Sequence, residues 1–254
     1  MGRLEGKVAL ISGGVQGIGQ ACALRMAKEG AKVVIADLND DATTFDQIQA
    51  EGGEAHQVQM DTRVREDWQR TVAETTEVFG PPDLLGNVAG VVNLKSEDSV
   101  LGLTDEGWDF VIDTDLRGVW LGMQATIPSM KENGGGRIVN ISSLAALKGL
   151  TNLASYSAAK GGVIGLTQQA AQEYAKDNIL INAICPGTID TPILKDITDE
   201  MREQNANSHL IKRLGKPSEI AGMMTYFFDP IDGAFQAGTI ATVDGGWNAN
   251  GLNY

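Results

Sequence analysis

The sequence predicts a single α/β domain in which a doubly wound parallel sheet lies between two layers of helices. Short apolar runs recur at 7–11, 32–36, 55–60, 83–88, 137–142, 179–185 and 239–243. Runs this short and this continuous fit strands buried on both faces. Helical patterns fill the intervals, so the order reads as alternating β and α, which favours a parallel sheet covered on both sides. A length of 254 residues with 43% hydrophobic content suits one domain, 1–254, with an ample core.

The elements follow in order. Lys7-Val8-Ala9-Leu10-Ile11 reads as a buried strand running into Ser12-Gly13-Gly14-Val15-Gln16-Gly17-Ile18-Gly19, then into a helical pattern over 21–29. Glycines at a strand-to-helix turn allow a pyrophosphate to approach the backbone closely, and free N–H groups at the helix start attract it. The spacing is GxxxGxG, not the commoner GxGxxG. Lys32-Val33-Val34-Ile35-Ala36 is a second strand and ends in Asp37. A carboxylate there can bind adenosine ribose hydroxyls and would repel a 2′-phosphate. Neither Val15 nor Gln16 supplies a compensating cation, so NAD is favoured over NADP. The unit is of the Rossmann type.

Toward the C-terminus, Tyr156 and Lys160 stand four residues apart, and Ser143 follows the apolar run 138–141. Positions i and i+4 share one face of a helix, so a phenol and an ammonium face one pocket. A hydroxyl reaches the same pocket from a neighbouring strand end. Tyrosine is a poor base at neutral pH, with a reference pKa of about 10, and a nearby cation favours the phenolate. Such a trio can take a proton from an alcohol or give one to a carbonyl. A lone YxxxK pair is usually structural, and this one gains meaning from the glycine turn.

With these residues in place, the chain resembles the classical short-chain dehydrogenase/reductases over nearly its whole length. Gly13, Gly17 and Gly19, with Gln16 and Ile18 between and beside them, fit that family's cofactor turn. Asp61-Thr62 fits the acidic residue that contacts adenine, and Asn87-Val88-Ala89-Gly90 fits the NNAG element, with Val88 in place of its second Asn. Ser143, Tyr156 and Lys160 match the catalytic residues in order and spacing, while Val243-Asp244-Gly245-Gly246 resembles the closing strand and turn. Pro186-Gly187 with Ile189 and Thr191 looks like the segment that holds the nicotinamide end. One departure stands out: where the family has Asn in an NxxG motif, this chain has Asp115 in Asp115-Leu116-Arg117-Gly118. A backbone role in the proton relay would survive that change, whereas a buried carboxylate would favour a charged Lys160 and shift the pH profile.

The resemblance implies an NAD-dependent enzyme in which Tyr156 exchanges the proton and Ser143 orients the substrate oxygen. Lys160 would bind the nicotinamide ribose and lower the phenol's pKa, and the cofactor would carry the hydride. It also implies a homotetramer formed through two long helices and the C-terminal strands. Small residues at Ala158, Ala159, Gly161, Gly162 and Gly165 would permit such helix packing, or would simply admit the nicotinamide or pack on the sheet. Substrate walls are expected from 91–94, 144–147, Leu153 and a lid at about 188–214. There Ile193, Leu194, Ile197 and Met201 read as one apolar helical stripe, either a lid face or ordinary packing. With no cation aimed at a carboxylate, a neutral cyclic or aromatic secondary alcohol or ketone fits best. A 3-oxoacyl thioester reductase is the nearest alternative. A sugar-nucleotide epimerase and a non-catalytic NAD-binding scaffold are two others.

A net charge of −13 disfavours nucleic acid and counts modestly against acidic acyl carriers. No run approaches the eighteen apolar residues of a membrane span, and the opening residues lack a secretory stretch, so a cytoplasmic location is expected. Cys22 and Cys185 read as buried thiols and His56 and His209 as structural residues; no metal-ligand pattern is present.

Overall fold

The computed structural model describes residues 2–93 and 97–250. Seven parallel strands form one sheet: β1 (Val8–Ser12), β2 (Lys32–Asp37), β3 (Ala55–Gln59), β4 (Leu84–Asn87), β5 (Gly136–Ile141), β6 (Ile179–Pro186) and β7 (Ile240–Val243). Their spatial order is β3-β2-β1-β4-β5-β6-β7. The expected strands are therefore present, each within two residues of its apolar run. Gly136, one residue ahead of its apolar run, opens β5 because its N–H donates to the Asn178 carbonyl at 3.1 Å.

The order reverses between β1 and β4, and a crevice opens there at the carboxyl ends of the strands. Every element of the candidate site ends at this crevice. Helices α1 (Gly17–Lys28), α2 (Thr43–Ala50), α3 (Arg65–Phe79), α4 (Asp105–Ile112), α5 (Gly118–Glu132), α6 (Ala154–Tyr174), α7 (Asp199–Ser208) and α8 (Pro217–Phe228) complete the fold. Helices α1 and α8 pack on one face with Cys22, Met26, Met224 and Phe227 buried against Ile11, Ile35 and Ile184. On the other face Trp68, Met123 and Val163 meet Leu10, Val34 and Ile138. Each such large side chain, fully withdrawn from water, contributes about 1.5–3 kcal/mol. The alternation of neighbouring strand residues between these two clusters is why β1 and β2 are buried on both faces, whereas the edge strand β3 carries His56, Gln57 and Gln59.

A wide π-type turn, Asp113–Arg117, joins α4 to α5. Such turns shift the register of side chains within a helix and recur at functional sites. This one carries Asp115 into the interior, where it is fully buried. Leu116 packs against Gly162 of α6, and a Cβ at Gly162 would lie 2.8 Å from the Leu116 side chain. The absent side chain lets α6 approach closely. No helix among the described residues is long and apolar enough to cross a membrane.

The apolar stripe expected at 193–201 does not form one helix. Pro192–Leu194 is a single 3-10 turn, and α7 starts afresh because the Thr198 hydroxyl accepts the Met201 N–H. Ile193 and Met201 stay exposed, at 41% and 48%.

Candidate active site

The glycine turn is shaped by contacts that exclude side chains. A Cβ at Gly13 would lie 2.7 Å from the Ala89 backbone, and one at Gly19 would overlap the Gly13 carbonyl. Gly13 and Gly17 also hold positive φ, at 71° and 58°. Helix α1 begins after Gln16 with no side chain capping it, so its first N–H groups have no side-chain acceptor. Ile18 lies half-buried behind the turn. Asp37, at the tip of β2, accepts hydrogen bonds from the Val15 N–H at 3.2 Å and the Asn39 N–H at 3.0 Å. An uncapped helix start beside a carboxylate-tipped strand fits the pyrophosphate and adenosine ribose of a dinucleotide.

Asp61 is engaged by Arg63, whose guanidinium donates to both carboxylate oxygens, and this holds the Asp61 carboxyl below the ordinary range. Its neighbour Thr62 is buried, and the Thr62 carbonyl accepts the Trp68 indole N–H at 2.9 Å. The Asn87 side chain points into the sheet and donates to Asn140 Oδ1 at 2.8 Å. Only the backbone of this stretch is left to face the crevice. The Ser12 hydroxyl holds that backbone, accepting the N–H groups of Val88 and Ala89 at 3.1 and 3.3 Å. From the other side, the segment after β6 folds over the turn. Thr191 lies close enough that a Cβ at Gly17 would sit 3.4 Å from its side chain. Pro186 ends β6, Gly187 follows it, and Ile189 is pinned by backbone pairing with Gly215.

Ser143, Tyr156 and Lys160 converge at the crevice. Ser143 leaves the end of β5 beside the phenol, and Lys160 Nζ lies 5.5 Å from the centre of the Tyr156 ring. Helix α6 carries the last two residues, and its start is set by the buried Asp98. That carboxylate accepts the Ser155 N–H and hydroxyl, both at 2.9 Å. Farther along, the Ser142 hydroxyl donates to the Lys160 carbonyl at 2.8 Å. Ser12, Asp98 and Ser142 went unnoticed in the sequence. Single polar residues at strand and loop ends carry no periodic signal, although Ser12 and Ser142 each close an apolar run.

Lys160 is nearly fully buried, and its ammonium donates to the Ile141 carbonyl at 3.0 Å. Asp115 Oδ2 also lies 3.0 Å from Nζ, an ionic contact that lacks the direction of a formed hydrogen bond. The other carboxylate oxygen accepts the Val91 N–H at 2.8 Å. Gly90 makes room for this pair, since a Cβ there would lie 3.0 Å from Asp115 Oδ2 and 3.2 Å from Lys160 Nζ. The structure therefore brings Asp115 directly onto the trio.

The electrostatics differ from the expectation that Lys160 brings the phenol's pKa down. Burial pushes Tyr156 up; Lys160 opposes this, Asp115 reinforces it, and the sum stays above the ordinary value. Burial likewise raises Asp115 despite Lys160. For Lys160, burial disfavours the ammonium, but the charges of Asp115 and Tyr156 outweigh it and the pKa rises. The chain without a bound cation thus keeps a protonated phenol beside a firmly charged lysine, an arrangement suited to handing a proton to a carbonyl. A positive charge placed against the phenol would favour its ionisation and the reverse transfer.

Of the expected substrate walls, Val91 donates its N–H to Asp115, the Ala145 N–H donates to the Ser143 hydroxyl, Leu153 directly precedes α6, and Leu94 lies outside the described residues. An open groove of about 730 Å³ is lined by Asp98, Leu147, Leu153, Ser157 and their neighbours. Neither Ser143 nor Tyr156 lines it, so it adjoins the trio without containing these two residues. His209, read as a structural residue, follows the end of α7 and is buried.

A family model described as enoyl-(acyl carrier protein) reductase matches residues 13–248. The chain is 38% identical over 249 residues to cyclohexanol dehydrogenase of Acinetobacter sp. strain SE19, covering 97% of each. It is 35% identical to 2,5-dichloro-2,5-cyclohexadiene-1,4-diol dehydrogenase of Sphingobium indicum, covering 97% of this chain and 98% of that one. A 3-oxoacyl-[acyl-carrier-protein] reductase of Thermotoga maritima is 34% identical, with 96% and 98% covered. Among solved structures, the crystal structure of gox2181 superposes with a TM-score of 0.92 at 30% identity, covering 98% of both chains. With these relatives matched over 96% or more of the chain and a solved structure superposed over 98% of it, the chain belongs to the classical short-chain dehydrogenase/reductase family of oxidoreductases.

Proposed function

We propose that this protein is an NAD(H)-dependent oxidoreductase that interconverts a secondary alcohol and a ketone on a neutral, hydrophobic cyclic or aromatic substrate. The observation that carries the reading is the Tyr156 phenol set between Ser143 and the Lys160 ammonium at the crevice. Bound nicotinamide supplies or accepts the hydride. Tyr156 passes the proton to or from the substrate oxygen, and Ser143 donates a hydrogen bond that steadies charge developing there. Lys160 offers its remaining N–H donors to the ribose while Ile141 and Asp115 hold it in place. Asp37, tied to the glycine turn, supports NAD over NADP, because a 2′-phosphate would meet its negative charge. The names of two relatives, both acting on six-membered carbocycles, support a cyclic substrate.

A second reading, reduction of a 3-oxoacyl thioester, draws on the Thermotoga maritima relative, and the description of the matching family names the same carrier, though with an enoyl group. The net charge of −13 argues against docking an acidic carrier. The test is NADH production or consumption over secondary alcohols and ketones, cyclic, aromatic and thioester members included, with NADP(H) in parallel. Turnover of a neutral cyclic member with NAD is expected. Preference for the thioester or for NADP overturns the reading. We also propose a homotetramer, supported by Trp108, Trp120 and Phe235, which are 41%, 39% and 100% exposed, and sedimentation as a stable monomer would refute it.

A further inference from the structure

Between Asp190 and Glu219 only one described side chain is buried, that of His209. The stretch is an excursion closed at its base by backbone bonds. Gly215 donates to the Thr188 carbonyl and Asp190 donates to the Gly215 carbonyl, both at 2.9 Å. Within it, α7 contributes no buried residue. An exposed excursion with so little buried surface opens at low cost. The Ile211 N–H donates to the Gly245 carbonyl at 3.0 Å and Asn250 donates to the Ser208 carbonyl at 3.1 Å, while His209 is the one buried side chain that ties the excursion to the segment after β6.

Its two hydrogen bonds assign His209 one ring tautomer. The Thr188 N–H donates to Nε2 at 3.2 Å, so Nε2 carries the lone pair. Nδ1 then holds the hydrogen and donates it to the Asn205 carbonyl at 2.8 Å. Asn205 adds a parallel tie by accepting the Thr188 hydroxyl at 3.2 Å. The ring meets Trp247 edge-on at 5.1 Å. Gly187 leaves the space it needs, since a Cβ there would lie 2.7 Å from Nε2. Thr188 lies in the same short segment as Ile189 and Thr191, which folds over the glycine turn.

We infer that His209 is a positioning residue: its Nε2 latches the 190–214 excursion onto the Thr188 N–H and thereby sets the segment that lies over the cofactor turn. The kinetic part of this inference rests on the reading of that excursion as a substrate cover; the latch itself does not.

The two amide side chains separate the two ring nitrogens. Glutamine reaches far enough to place an acceptor where Nε2 stands, whereas asparagine reaches only as far as Nδ1. Lys195, Arg202, Lys212 and Arg213 provide trypsin sites within the excursion. His209→Asn should be nicked there roughly five- to tenfold faster than wild type, the factor one such hydrogen bond carries, with His209→Gln within about twofold of wild type. Both variants should melt at similar temperatures, and only His209→Asn should show KM for NAD⁺ and alcohol raised by a similar factor with kcat less affected. Equal protection of both variants, or equal nicking of both, overturns the latch. Faster nicking of His209→Asn with unchanged KM overturns the positioning role. If no alcohol is turned over by any form, proteolysis still decides the latch, and NAD⁺ titration by tryptophan fluorescence decides the positioning.

Discussion

Replacing Asp115 by Asn removes a buried charge while keeping the side chain's shape. The carboxylate is fully buried, lies 3.0 Å from Lys160 Nζ and accepts the Val91 N–H. Oxidation of an alcohol needs an ionised phenol, so its rate rises with pH through the Tyr156 pKa. That pKa is raised by burial and further by Asp115, against the pull of Lys160; Ser143 lowers it slightly, and the Cys185 thiol adds a small increase. Without the negative charge the phenol ionises more readily, and the rise comes at lower pH. Lys160 loses its strongest support at the same time, because burial opposes the ammonium and Asp115 is the largest influence holding it charged. Its deprotonation, and the alkaline fall in rate, then also come at lower pH. The whole bell-shaped profile of NADH production should move toward acid. The peak rate should fall by far less than the ~10²–10⁴-fold that a missing general base costs. Stability reports the same pair. Asp115→Ala leaves a buried ammonium without its counter-charge, a loss of about 3–5 kcal/mol in urea unfolding at neutral pH. Asp115→Asn removes the same charge but keeps a polar oxygen for the Val91 N–H, and should cost less, about 1–3 kcal/mol. A profile superimposable on wild type, or displaced toward alkali, would refute this account of the charge.

Other outcomes follow from single contacts. Tyr156→Phe should lose ~10²-fold or more in kcat with NAD⁺ binding retained by fluorescence titration, whereas a non-catalytic scaffold would register no change. Gly90→Ala places a methyl 3.0 Å from Asp115 Oδ2 and 3.2 Å from Lys160 Nζ, and the crowding should cost about 1–3 kcal/mol, read by thermal or urea unfolding. Ser12→Ala leaves the N–H groups of Val88 and Ala89 without their acceptor, and should lower stability by about 1–3 kcal/mol and weaken NAD⁺ binding together. Burial pushes the Cys22 thiol up to about 12, so it should resist a disulfide reagent in the native protein at pH 8 and react only on unfolding.

The sequence by itself determined the strands, the glycine turn and the presence of a Tyr–Lys pair on one helical face. Each of these is written in residues a few positions apart, where a period of two or of three to four directly sets which side a side chain takes. Tyr156 and Lys160 were legible for the same reason, Asp37 by its place at a strand tip, and Ser143 through the resemblance to the family. The tertiary structure decided what these groups face. Asp115 and Lys160 are far apart in the chain and meet because a π-type turn rotates one inward while Gly90 leaves space for both. The stripe at 193–201 failed as a helix because a threonine cap restarted the chain there, a local choice that apolar spacing does not record. His209 lies in a polar stretch, and its burial depends on Thr188, Trp247 and two glycines from other segments. Such contacts carry no local pattern, because they arise from the stacking of whole layers, and with them came the direction in which the phenol and the lysine titrate.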